Sequence, residues 1–138
     1  MPTDFSENAW AAFQHARQLI NEEDAEIVVM HAIDPTIIAQ VVELGVGEHD
    51  EILKSMRTNA LERMKRYSEA SDTQANVDTL VCEGEPCFEI IRKAEDFAVD
   101  AIVMSKHGQR AQTQTLLFGS TAEKVIRGSK KPVIVLPT

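Results

Sequence analysis

Short apolar runs alternate along this chain with longer segments of helical period, and that alternation admits very few folds. Residues 26–33 (EIVVMHAI), 77–82, 101–104 (AIVM) and 133–136 (VIVL) read as strands. The run at 26–33 shows no alternation beyond its ends, as a strand covered on both faces requires, and 101–104 reads as a buried strand. Between them lie stretches with a 3.6-residue repeat. Ser6 can cap a helix reaching about Asn21, on which Trp10, Phe13, Ala16 and Ile20 form one face. Ile52, Leu53, Met56, Ala60, Leu61, Met64 and Tyr67 do the same over 48–70, where Glu62 and Arg66 add a favourable i,i+4 pair. Pro86 starts a third helix, with Phe88, Ile91, Ala94 and Ala98 expected on its buried side, and residues 120–127 form a fourth. Residues 36–47, punctuated by Gly45 and Gly47, read as a connection. Four strands alternating with four helices predict an α/β domain with a parallel sheet, built from βαβ units.

The 138 residues fit one domain, 1–138, with enough chain to bury a core. No apolar run approaches the roughly 18 residues of a membrane span, and the first twenty residues carry Asp4, Glu7 and Arg17 rather than a signal-peptide core. Cys82 and Cys87 are too few for a disulfide framework and do not form a CxxC pair. The expected setting is cytoplasmic, with no membrane partner. A net charge of −8 argues against nucleic acid as a partner. The charge is unevenly placed, however. Between Ser105 and Lys131 stand six cations (Lys106, Arg110, Lys124, Arg127, Lys130, Lys131) and one anion, Glu123, while the rest of the chain holds 8 cations and 21 anions. A basic segment in an acidic body is either a solvated helix face or a local anion site.

Ligands of open α/β sheets bind beyond the carboxyl ends of the strands, so two loops carry weight. One is Met1-Pro2-Thr3-Asp4-Phe5-Ser6; the other follows the 101–104 strand, from Ser105-Lys106-His107-Gly108 to Phe118-Gly119-Ser120-Thr121. Gly119 permits close backbone approach, and Ser120 is a candidate cap of the helix behind it, whose first amides and dipole suit a phosphate. Neither GxGxxG nor GxxxxGK[ST] is present, and Gly128-Ser129-Lys130-Lys131 is a helix stop, not a phosphate loop.

The blocks Asp100-Ala101-Ile102-Val103-Met104-Ser105-Lys106-His107-Gly108, Leu116-Leu117-Phe118-Gly119-Ser120-Thr121-Ala122-Glu123-Lys124-Val125-Ile126 and Lys131-Pro132-Val133-Ile134-Val135 resemble the C-terminal signature of universal stress proteins. Pro2-Thr3-Asp4-Phe5-Ser6, Val29-Met30-His31-Ala32-Ile33 and Glu83-Gly84-Glu85-Pro86 match further landmarks in order, so the resemblance covers essentially the whole chain. It implies a doubly wound, Rossmann-like parallel sheet of order 3-2-1-4-5, commonly dimeric, here expected to pair through Val133–Leu136. One branch of the family binds ATP. By that resemblance the nucleotide-contacting set is Pro2, Thr3, Asp4, Ala32, Ile33, Met104, Ser105, His107, Gly108, Gly119, Ser120 and Thr121, with Asp4 at the ribose or a phosphate-bound magnesium ion and Ala32-Ile33 at the adenine.

Three departures bear on this. Ser105 stands where the family pattern has its first glycine, and ten residues instead of nine separate Gly108 from Gly119. The match begins at Pro2, so the apolar first strand, central in the implied order, is expected to be missing from residues 1–138. The implied function is a nucleotide-binding stress or regulatory protein with little or no turnover, ATP as ligand and no catalytic residues. The alternative is a dimeric adaptor without nucleotide. The four histidines, His15, His31, His49 and His107, show no metal-ligand spacing, and Ser120 lacks the glycine of a nucleophile elbow.

Overall fold

The computed structural model describes residues 1–20, 24–70, 75–109 and 118–137. In chain order these form α1 (Glu7–Leu19), β1 (Glu26–Ile33), α2 (Pro35–Glu43), α3 (His49–Ser68), β2 (Asn76–Glu83), α4 (Pro86–Asp96), β3 (Ile102–Ser105), α5 (Ser120–Gly128) and β4 (Val133–Leu136). All strand pairing is parallel. β1 lies along β2, from Glu26 opposite Asn76 to Ile33 opposite Glu83, and β3 along β4, from Ile102 opposite Val133 to Ser105 opposite Leu136. Among the described residues the strands thus make two pairs rather than one continuous sheet.

Helices cover both faces. Period-two alternation sends Ile27 and Val29 of β1 to one side, where they meet Phe13 of α1 and Met64 and Tyr67 of α3. Ile33 joins Ile38 of α2 and Ile52 of α3 on the same side. Met30 points the other way, into a cluster with Ile90 of α4, Ile102 and Met104 of β3, and Ala122 and Val125 of α5. Phe13 is fully buried and stacks edge-on against Tyr67, ring centres 5.0 Å apart. Burying a side chain of that size is worth about 3 kcal/mol.

Where the implied order puts a central strand, the described structure has only the segment Met1–Thr3, running parallel to β1. The Met1 ammonium donates to the Val28 carbonyl (2.6 Å), Met30 N–H to the Met1 carbonyl (2.8 Å) and Thr3 N–H to the Met30 carbonyl (2.8 Å). Burial of that ammonium lowers its pKa from 8.0 to about 5, because the low-dielectric surroundings disfavour the charged form.

Two local expectations are corrected. Residues 36–47 do not form a simple connection: Asp34 caps a helix by accepting from Thr36 N–H at 2.9 Å, and Pro35 occupies its first turn. Asp34 and Pro35, which directly follow β1, are therefore the start signal of α2. On α4 the buried side is Cys87, Glu89, Ile90 and Ala94, while Phe88 is 66% exposed. Ala94 is buried as expected, but Cys87 and Ile90 take the places expected for Phe88 and Ile91, and Ala98, beyond the helix end, is exposed.

Candidate functional site

A cavity of about 500 Å³ opens at the carboxyl ends of β1 and β3, between the two strand pairs. That is the size of a small-molecule site and the location where α/β sheets bind ligands. One wall is Pro2, Thr3 and Asp4 with Ala9 of α1. A second is the end of β1 (Met30, His31, Ala32) with Asp34 and Ile37. Glu85, Pro86, Cys87 and Ile90 come from the start of α4, and the last wall joins Met104, Ser105, Lys106, Gly108 and Gln109 to Gly119, Ser120, Thr121, Ala122 and Lys124.

The wall before α1 is tightly bonded. Ser6 Oγ caps α1 by accepting from Ala9 N–H (3.1 Å) and donates to Asp4 Oδ1 (2.6 Å), which also accepts from Ser6 N–H (3.0 Å). The Thr3 and Tyr67 hydroxyls share a buried hydrogen bond of 2.6 Å. The Thr3 carbonyl accepts from His31 Nδ1 at 2.8 Å, which places the proton of the neutral imidazole on that nitrogen. Burial pushes the His31 pKa down, against the opposing pull of the Thr3 carbonyl and the Asp4 charge.

The opposite wall is built differently. Gly119, not Ser120, is the N-cap of α5, and no side chain caps that helix. Ser120 is its first residue, so the expected capping role of Ser120 is corrected. The amide of Gly119 donates to the Lys106 carbonyl at 3.0 Å, tying the helix start to the loop after β3. The Ser105 hydroxyl donates to the His107 carbonyl at 3.0 Å, so the side chain that replaces a family glycine bonds within its own loop. Gln109 N–H donates to Asp4 Oδ2, and the two walls meet there.

Of the twelve residues expected to contact nucleotide, ten line the cavity: Pro2, Thr3, Asp4, Ala32, Met104, Ser105, Gly108, Gly119, Ser120 and Thr121. His107 and Ile33 do not. The His107 carbonyl accepts from Ser105 and, at 3.5 Å, from Asn8 Nδ2. Ile33 is buried in the core with Ile38 and Ile52, and its carbonyl accepts from Gly84 N–H at 3.0 Å. Arg110 and the spacing between Gly108 and Gly119 lie outside the described residues, as do Leu116 and Leu117.

Sequence reasoning missed Glu85 and Lys124 as cavity residues. Lys124 Nζ pairs with Glu85 Oε1 at 3.1 Å, and the same oxygen accepts from Cys87 Sγ at 3.1 Å. The Cys87 thiol and the Lys124 ammonium both hold the Glu85 carboxyl below its usual range. Desolvation first, then the neighbouring Glu85, raises the Cys87 thiol, the reverse of what a nucleophilic cysteine needs. The basic count of the 105–131 segment was the one signal for Lys124. Among the described residues no group of three or more His, Cys, Asp or Glu could hold a metal ion, and no helix is long and apolar enough to cross a membrane.

Residues 1–137 match the model of the universal stress protein family. The universal stress protein MJ0577 of Methanocaldococcus jannaschii is 34% identical over 150 residues, spanning 98% of this chain and 91% of that protein. Universal stress protein MJ0531 of the same organism is 32% identical, over 99% of this chain and 79% of its own length. The solved structure of MJ0577 superposes with a TM-score of 0.86 at 33% identity, covering 99% of this chain and 92% of that one. UspA from Lactobacillus plantarum shares the fold, with a TM-score of 0.81 at 24% identity over 98% of this chain and 93% of that one. A doubly wound α/β architecture, a cavity at its strand ends and a family match along nearly the whole length lead to one assignment: the chain belongs to the universal stress protein family.

Proposed function

We propose that the cavity binds ATP and that the protein is a nucleotide-binding regulatory protein with little or no turnover. One observation carries this reading: the uncapped start of α5 opens into a 500 Å³ cavity that also holds the glycine-bearing loop after β3. First-turn amides at the positive end of a helix dipole, with no side-chain cap among the described residues, suit a phosphate chain. A Cβ placed on Gly119 would come no nearer than 3.5 Å to any other group, so the glycine is not forced by packing within the protein itself. Its absent side chain leaves room for a ligand. The branch of the family that binds ATP has the same landmarks at Asp4, Gly108, Gly119 and Ser120.

In this reading Ser120, Thr121 and Ala122 hold the phosphates through their backbone amides, and the end of β1 at Ala32 meets the base. A bound magnesium ion would supply charge neutralisation at the phosphates, with Asp4 the carboxylate nearest the loop. The Lys124–Glu85 pair leaves that lysine neutralised in part, so phosphate recognition falls mainly to the amides.

Equilibrium dialysis with labelled ATP, with and without magnesium, tests the proposal. Saturable binding is the expected outcome. A protein that takes up no nucleotide at millimolar concentration ends this reading and leaves the adaptor alternative, in which a second copy lies along the edge of β4, where Ile134 is 42% exposed.

A further inference from the structure

Among the described lysines and arginines, only Lys106 and Lys124 line the cavity, and they are placed differently. Lys106 belongs to the loop after β3, where its ammonium lies 6.0 Å from the centre of the Phe118 ring. Lys124 stands on α5, four residues after Ser120 and so on the same face of that helix. At a rise of about 1.5 Å per residue, its Cα lies about 6 Å along the axis from that of Ser120. Helical side chains lean toward the N-terminus, so the lysine stem is directed back toward the uncapped first turn.

The partner that holds Lys124 is a replaceable one. Glu85 Oε1 takes the ammonium at 3.1 Å while also accepting from Cys87 Sγ at 3.1 Å. The Lys124 and Glu85 side chains are 61% and 44% exposed, so water screens their attraction and the pair contributes little to the fold. Glu85 makes no side-chain cap bond at the start of α4, so that helix does not depend on the carboxylate staying where it is. If Lys124 leaves, Glu85 keeps the thiol donor and its access to water, and no buried charge is stranded. The Glu85 carboxylate raises the Lys124 pKa, and the ammonium is therefore fully charged at neutral pH. Asp34 also acts on Lys124 from the end of β1, but its Oδ1 is committed to Thr36 N–H.

We propose that Lys124 is a further ligand-binding residue held by an exchangeable partner: a phosphate chain at the α5 amides draws its ammonium away from Glu85, and Glu85, as the competing anion, lowers the affinity. The inference rests on the ATP-binding reading of the same cavity. A triphosphate offers several charged oxygens, a stronger acceptor for an ammonium than one carboxylate oxygen already shared with a thiol. Glu85 thereby tunes how tightly the site holds its ligand without touching it.

A double-mutant cycle read by titration calorimetry with ATP, at fixed magnesium, tests the exchange. Lys124→Met keeps the stem and removes the charge; it should bind ATP about tenfold more weakly, the scale of one charge-assisted hydrogen bond. Glu85→Gln keeps an acceptor oxygen for Cys87 and should bind ATP about threefold more tightly, the scale of an exposed ion pair. That gain should vanish when E85Q is placed in the K124M background. Unchanged affinity in K124M, or an equal gain from E85Q in both backgrounds, overturns the exchange; the second result reduces Glu85 to simple repulsion of the ligand. If K124M fails to fold, the wild type still decides: saturating ATP should slow acetylation of Lys124 by acetic anhydride, and an unprotected lysine refutes the contact. A wild type that binds no ATP removes the phosphate site itself, whereas ATP binding indifferent to Lys124 removes only this role.

Discussion

Two helices begin at the rim of the same cavity, and they begin in opposite ways. α1 is closed by its own chain: Ser6 Oγ takes the Ala9 amide, and Asp4 in turn accepts from the amide and hydroxyl of Ser6. α5 starts at Gly119, which has no side chain to offer and leaves the first turn without a cap. A glycine start with no side-chain cap among the described residues is a small local cost, roughly a few tenths of a kcal/mol relative to a good cap. The contrast assigns structural duty to the first helix and leaves the last one available to a ligand.

The largest expected effect concerns the closed side. In protein bearing a free amine at Met1, the folded state lowers that amine from 8.0 to about 5. A base whose folded pKa is depressed binds its proton more readily when unfolded. Its contribution is complete above pH 8 and is lost as the pH falls through the window from 8 to about 5. At about 1.4 kcal/mol per unit the loss reaches about 4 kcal/mol at the acid end. His31, also depressed by burial, acts in the same direction below its unfolded value of about 6.5. Urea unfolding between pH 8 and pH 5 should show this slope, and N-acetylated protein, lacking the amine, should lose most of it. Amide protection factors, corrected for the intrinsic pH dependence of exchange, should fall first in α1 and β1 on acidification. An equal fall in α4 and α5 would erase the distinction between the two sides.

A second test makes the open end resemble the closed one. In Gly119→Asp the new carboxylate would cap α5 and stand in the phosphate position. The nearest groups to a Cβ there are the Lys106 carbonyl at 3.5 Å and the Gly108 amide nitrogen at 3.7 Å, ordinary contacts for the added Cβ. Stability should hold or rise by a few tenths of a kcal/mol, since glycine is only slightly the poorer cap. ATP affinity should fall at least about 100-fold, or about 2.7 kcal/mol. Retained affinity in a stable variant would show that nucleotide does not use the α5 amides.

How much of this contrast could be read from residues alone differs between the two sides. Gly119 and the basic loop were legible because a glycine before a helix and a cluster of cations are local patterns. Strands β1, β3 and β4 were legible for the same reason, each being a short continuous apolar run, although Ile134 of β4 remains 42% exposed. The Asp4–Gln109 contact was not, because it joins segments 105 residues apart and follows from how the walls pack. The Glu85–Lys124 pair is hidden likewise, since each residue alone resembles any surface charge. α2 was lost because Asp34-Pro35 carries two meanings, the end of a strand and the start of a helix, and only packing of Ile38 against Ile33 and Ile52 chooses between them. Phe88 misled because aromatic residues are usually buried, whereas the geometry of α4 turns Cys87 and Ile90 inward. Ser105 shows in the sequence only as a serine where the family pattern has a glycine; its bond to the His107 carbonyl is a matter of loop geometry that the sequence does not carry.

The smallest expected effect opens the closed side. Ser6→Ala removes the acceptor for the Ala9 amide and one of the three hydrogen bonds to Asp4, leaving those from Ser6 N–H and Gln109 N–H. Loss of a serine cap costs about 1 kcal/mol. Chemical denaturation should register that change, with ATP affinity altered less than about threefold. The two helix starts then remain distinct in role, because Asp4 still holds Ser6 N–H and Gln109 N–H when the Ser6 hydroxyl is gone. A tenfold or larger change in affinity at unaltered fold would mean that the α1 start takes part in binding through Asp4, and that the two ends of the cavity work as one anion-responsive unit.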